Sequence, residues 1–139
     1  MKVLVDTCIW SLALRRKKQS GPNIELVEFQ ELIEEVRVQL IGPIRQEILS
    51  GVKRKQQFSE LKKILSAFPD LPLASEDFEL AAEYFNTLRR KGIQGSNTDF
   101  LICAVSTRNN MPIFSTDNDF SHYRKHIPIT LHTPRVTRK

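Results

Sequence analysis

Four carboxylates stand where an apolar run ends or a helix begins. Asp6 follows Val3-Leu4-Val5. Glu47 comes shortly after Val38-Gln39-Leu40-Ile41. Asp99 opens the run Phe100-Leu101-Ile102-Cys103-Ala104-Val105, and Asp117 follows Pro112-Ile113-Phe114-Ser115-Thr116. Taken singly, an aspartate at such a place is a favoured helix cap. Capping does not account for acids at all of these junctions. Two carboxylates roughly 5 Å apart at an effective dielectric of about 20 repel by about 3 kcal/mol. A folded chain keeps such a cluster only if protons or a cation neutralise it. Oxygen-only, carboxylate-rich sites suit Mg²⁺ or Mn²⁺. Such an ion generates a hydroxide and stabilises charge growing on a phosphate.

For these acids to meet, the chain must bring the four junctions to one edge. A parallel sheet with helical crossovers does so, and ligand groups collect at that edge. Val3-Leu4-Val5 is too short for a helix and apolar throughout, as a strand buried on both faces requires. Thr7 to about Arg15 reads as a short apolar helix whose Trp10 belongs either to the core or, with Ile9, Leu12 and Leu14, to a groove for a partner helix. Asn23 caps a helix running to about Val36, with Phe29, Leu32, Ile33 and Val36 inward and Glu25, Glu28, Glu31, Glu34 and Glu35 outward. Val38 to Ile41 is a second strand, and Gly42-Pro43 starts a helix ending at Ser50-Gly51. Lys53 to Phe68 is amphipathic, with Phe58, Leu61, Ile64, Leu65 and Phe68 as its stripe. Ser75 caps a helix to Lys91 with Phe78, Ala81, Ala82, Phe85 and Leu88 inward. Thr98 caps a buried helix from Asp99 to about Asn109. Ile127 to Leu131 is an edge strand, where Pro128 is tolerated.

The 139 residues read as one domain, 1–139, with a basic polar tail from about residue 133. The net charge of +5 favours a polyanionic partner, nucleic acid first. Basic residues gather at Arg15-Arg16-Lys17-Lys18, Lys53-Arg54-Lys55, Arg89-Arg90-Lys91 and Arg135, Arg138 and Lys139. No apolar stretch is long enough to span a membrane. No signal-peptide pattern opens the chain, and Cys8 and Cys103 form no disulfide framework, so a cytoplasmic, reduced protein is expected. Both cysteines read as small buried fillers. His122, His126 and His132 read as surface residues, with His122, near Asp119, as a candidate phosphate contact.

In chain order, Val5-Asp6-Thr7, Arg45-Gln46-Glu47-Ile48, Thr98-Asp99-Phe100-Leu101-Ile102-Cys103-Ala104 and Ser115-Thr116-Asp117-Asn118-Asp119-Phe120 resemble the PIN-domain nucleases. The compact size is similar to the VapC-type toxins of toxin–antitoxin pairs. The resemblance implies a three-layer α/β/α fold with a central parallel sheet of four or five strands. It implies a Mg²⁺- or Mn²⁺-dependent endoribonuclease, often a homodimer, held inactive by a small antitoxin. It carries catalytic roles onto Asp6, Glu47, Asp99 and Asp117. Asp6, Asp99 and Asp117 then hold the metal, and Thr7, Ser115 and Asp119 support them. Glu34 and Glu35 are alternatives to Glu47, which the Gly42-Pro43 helix start favours. Asp119 competes with Asp117, which alignment on Phe120 favours.

Two other readings compete. A phosphoryl-transfer enzyme would use Asp6 as nucleophile, but such enzymes place a second acid two residues on, where this chain has Cys8. A catalytically inactive PIN-like module would only grip RNA or protein, and need not take up Mg²⁺ at this site.

Overall fold

The computed structural model describes residues 1–14 and 23–135. The run Arg15-Arg16-Lys17-Lys18, the Gly21-Pro22 break, and Arg138 and Lys139 lie outside the described residues.

Strand β1 (Val3–Val5) is central, with β2 (Val38–Gln39) on one side and β3 (Ile113–Phe114) on the other, both parallel to it. Val3 pairs with Val38, and Val5 with Phe114. Successive strand residues face opposite sides of a sheet. Val3, Leu4 and Val5 are each 0% exposed, so both faces are covered. That is why the run carries no polar alternation. Among the described residues the laddered sheet has three strands. Two isolated parallel bridges extend it, Leu40 with Asp70 and Ile113 with Leu131. The expected edge strand from Ile127 therefore pairs only at its end. Ile113 N–H donates to Thr130 O at 2.9 Å, and His132 N–H to Ile113 O at 2.7 Å.

Seven helices are found among the described residues: α1 (Thr7–Leu14), α2 (Ile24–Glu34), α3 (Gly42–Leu49), α4 (Lys55–Leu65), α5 (Ser75–Arg90), α6 (Asn97–Asn109) and α7 (Asp119–Tyr123). Asn23 Oδ1 accepts Leu26 N–H at 2.9 Å and so caps α2, as expected. The caps of α5 and α6 differ from expectation. Ala74 is the N-cap residue of α5, and its N–H donates to Asp77 Oδ2 at 2.7 Å; Ser75 is already helical. Helix α6 begins two residues earlier than Asp99, with Ser96 Oγ accepting Asp99 N–H at 3.0 Å in place of a Thr98 cap. Asp77, almost fully buried, also accepts from Arg108 Nη1 at 2.7 Å, which ties α5 to α6. Phe100 through Ser106 are all buried, so α6 is the enclosed helix its composition implied.

Trp10 lies in the core, edge-on to Phe29 and Phe68 at 5.0 Å each. It is closed to any partner, so the groove expectation fails for that residue. The stripe expected on α4 is only partly used. Leu65 is buried, whereas Phe58 and Ile64 are exposed. On α5, Phe78 and Ala82, expected inward, are exposed. Val36 also faces solvent, because α2 stops at Glu34 and Val36 takes a left-handed φ of 57° beyond it.

Glu28, expected on the outer face of α2, is buried at 2% exposure. It meets the C-terminal segment there. His132 Nε2 donates to Glu28 Oε2 at 2.5 Å, and Arg135 donates through its backbone N–H and Nε at 3.2 Å to Oε1. His132 is therefore half-buried rather than a surface residue, and the tail is anchored at Arg135. No helix among the described residues is long and apolar enough to cross a membrane.

Candidate active site

Because β1 and β3 run parallel, the residues that follow them leave the sheet at the same edge. Asp6 N–H donates to Phe114 O at 2.9 Å, which sets Asp6 beside Ser115. Ser115 Oγ donates to Asp6 Oδ2 at 2.9 Å, and Thr7 N–H donates to Asp6 Oδ1 at 2.8 Å. Asp6 is 8% exposed. Burial pushes its carboxyl above the usual range and the charge of Glu47 adds to this, against the hydrogen bonds from Ser115, Thr7 and Cys8.

Helix α3 brings Glu47 to the same edge, where Thr7 Oγ1 donates to Glu47 Oε1 at 2.5 Å. Pro43 in the first turn of α3 presets the backbone for a helix start there. Beyond β3, Ser115 Oγ accepts Asp117 N–H at 2.9 Å, and Asp117 Oδ1 accepts Asp119 N–H at 2.9 Å. These bonds hold the turn after β3 against the Asp6 side of the site. Asp99 enters from the first turn of α6, half-buried. Burial raises its pKa first, and the charges of Asp6 and Asp117 raise it further.

Asp99, Asp117 and Asp119 each present a carboxylate oxygen, all within 4.8 Å of one another. This all-oxygen donor set suits a small hard divalent cation. Asp6 and Glu47 stand outside that trio. Asp6 connects to it through Ser115, and Glu47 connects to Asp6 through Thr7. Asp117 and Asp119, the two rivals for one place in the sequence, both reach Asp99. Glu34 and Glu35 lie at the far end of α2, where Glu35 pairs with Arg37 and Arg135.

Cys8 is not the buried filler expected. It is half-buried with its Sγ 3.2 Å from Ser115 Oγ and 3.5 Å from Asp6 Oδ2, and it accepts Thr116 N–H. Cys103 is buried, and burial raises its thiol pKa far beyond the ordinary range. One site neighbour escaped the sequence reading. Tyr123 Oη donates to Asp99 Oδ2 at 2.9 Å. Its spacing was a usable signal, since a phenol four residues after Asp119 shares a helix face with that acid.

Parallel strands that deliver a cluster of carboxylates to one sheet edge make this an α/β domain with an acidic site. The model of the PIN domain family matches residues 3–126, and the chain belongs to that family. Ribonuclease VapC11 of Mycobacterium tuberculosis is 31% identical over 122 residues, 85% of this chain and 88% of that protein. VapC ribonuclease Mb1587 of Mycobacterium bovis matches with the same values. Among solved structures, FitAcB from Neisseria gonorrhoeae superposes with a TM-score of 0.75 at 19% identity, covering 95% of this chain and 97% of that one. VapBC2 from Rickettsia felis, bound to a DNA fragment from its promoter, gives 0.71 at 17%, covering 95% and 98%. At those identities the superpositions demonstrate a shared fold.

Proposed function

We propose that this chain is a divalent-metal-dependent endoribonuclease that cleaves RNA phosphodiester bonds, and that it is the toxin of a toxin–antitoxin pair. The observation that carries this is the meeting of Asp6, Glu47, Asp99, Asp117 and Asp119 at one sheet edge. The 31% identity to proteins named VapC ribonucleases supports the RNA substrate.

Asp99, Asp117 and Asp119 provide the ring of carboxylates for Mg²⁺ or Mn²⁺, with Asp6 behind it. When bound, such an ion offsets their mutual repulsion, polarises the phosphate and acidifies a water. Glu47 is exposed and held at one oxygen by Thr7. Its second oxygen takes the proton of the attacking water. Ser115 and Thr7 fix the two Asp6 oxygens so that the carboxylate cannot swing away from the edge. The whole chain works as a single nuclease domain in the cytoplasm. A small antitoxin covers the face formed by Ala13 and Leu14 of α1 with Leu61 and Ile64 of α4. A second copy packs on Phe78, Ala82 and Phe85 of α5 beside Leu101.

Purified wild type, Asp6→Asn and Asp99→Asn, incubated with structured RNAs in EDTA or Mn²⁺, test the reading. Wild type should cleave only with metal, and both variants should fall to background. Thermal melts of the same samples give a second measure. Asp99→Asn should be more stable than wild type in EDTA by about 1 kcal/mol, since a repelling charge is gone. Wild type should gain stability from Mn²⁺ and the variant far less, because an ion bound to the native state alone raises its melting point. Metal-independent melting together with uncut RNA would favour the inactive binding module.

A further inference from the structure

The geometry points to Tyr123 and Gly95 as a positioning pair for the metal-binding carboxylate Asp99, an inference that rests on the nuclease reading above. Tyr123 closes α7 and is fully buried. Its ring packs on Phe100 at 5.2 Å and Phe120 at 5.4 Å between centroids, so the residue serves the core through its carbon atoms. A buried phenol needs an acceptor for its hydroxyl. Here the acceptor is Asp99 Oδ2, at 2.9 Å. The core alone does not require that acceptor to be an acid of the site. The bond ties α7, whose first residue is Asp119, to the first turn of α6, where Asp99 sits. It thereby helps set the spacing of Asp99, Asp117 and Asp119, whose oxygens lie within 4.8 Å.

Gly95 makes the room for this bond. A Cβ at that position would strike the Tyr123 hydroxyl and stand 2.8 Å from Phe100 Cζ. Real Cβ atoms do not approach that closely, so any side chain at 95 must displace the phenol or the Phe100 ring. Gly95 does not have the positive φ of Gly51 and Gly92. Its lack of a side chain therefore serves close approach, not a left-handed turn. Groups that orient metal-binding carboxylates through a hydrogen bond commonly change metal affinity by 10–100-fold when removed, about tenfold at the low end.

Tyr123→Phe keeps the ring and deletes only the donor. We expect its dissociation constant for Mn²⁺, measured by calorimetry on the RNA-free protein, to rise about tenfold. Its melting point in EDTA should fall by no more than a few degrees, the cost of one lost hydrogen bond. RNA cleavage should drop at limiting Mn²⁺ and recover at saturating Mn²⁺, with KM for RNA unchanged, which a purely structural role would not produce. Gly95→Ala is the second arm: it retains the hydroxyl but pushes it off Asp99, and should weaken Mn²⁺ binding likewise. Wild-type Mn²⁺ affinity in either variant overturns the proposal. Asp99→Asn measured alongside separates the two levels. If it loses Mn²⁺ binding while Tyr123→Phe does not, only the positioning role fails. If it too binds Mn²⁺ as wild type does, the metal reading falls and this inference with it.

Discussion

Glu28 and Asp6 are both buried acids, and their neighbours push them in opposite directions. Burial raises both pKa values. At Glu28 the donors His132 and Arg135 more than offset it, and the carboxyl falls below its usual range. At Asp6 the donors are neutral, Glu47 is a second acid, and the pKa stays raised. The consequences for stability have opposite signs. A lowered folded-state pKa contributes stability above the unfolded value, here near 4.5, and loses it as pH falls further. Glu28→Gln should therefore destabilise the protein by about 2 kcal/mol at neutral pH, the worth of a charge-assisted hydrogen bond or two. The gap to wild type, followed by urea unfolding from pH 7 down to pH 3, should narrow below about pH 4.5. A constant gap would mean that Glu28 acts by shape alone. Asp6 and Asp99, with raised values, oppose folding of the metal-free protein above their folded pKa and relent as acid protonates them. Residue type and spacing were enough to single out Asp6, Asp99 and Asp117, because each follows a strand or opens a helix. They did not reveal Glu28 as buried, because its partners His132 and Arg135 lie more than a hundred residues away.

At the level of elements, sequence pattern located β1 and α3 with their edges, ran α2 on to Val36 where it stops at Glu34, and started α6 at Asp99 where it begins at Asn97. Ser96 and Thr98 are both competent caps, and residue type cannot choose between them. The fold chooses Ser96, which sets Asp99 three residues into the helix. The α5 start shows the same ambiguity: a helix can be capped from within by Asp77, leaving Ala74 in the cap position. Amphipathic stripes predicted burial on α4 and α5, but a stripe records only that a face avoids water, not what covers it. Phe58, Ile64 and Phe78 lie on such faces and remain 38%, 47% and 53% exposed. Val36 illustrates a further limit. Its N–H donates to Ile33 O and the next N–H to Leu32 O, an end to α2 that normally takes glycine, yet a β-branched residue holds it at φ 57°. The left-handed conformation costs an L-residue about 1–2 kcal/mol. Val36 is 74% exposed, so it returns little by burial. Val36→Gly should raise stability by about 1 kcal/mol in a thermal melt, after the added flexibility of glycine in the unfolded chain is deducted. A lower melting point would show that the valine packs in a way its exposure conceals.

For the whole molecule, the exposed apolar face of α5 is the feature that fits assembly. Phe78 is 53% exposed at the end of a surface that includes Ala82 and Phe85. A charge there would be buried without a partner in any homodimer that uses the face. Phe78→Glu should turn a dimer into a monomer in sedimentation at micromolar protein, with the monomer's melting point little changed. A variant that stays dimeric would move the interface elsewhere. The site itself has a time order as well as a place. The Ser115–Asp6 bond spans 109 residues, and the Glu28–His132 bond spans 104. Strand β1, at residues 3–5, is the centre of the sheet, and its neighbour β3 comes only at residues 113–114. In a growing chain β1 lacks β3, and Asp6 lacks Ser115, Asp117 and Asp119, until the residues from 113 onward have been made. A nascent chain that stops short of these residues holds no assembled acid cluster.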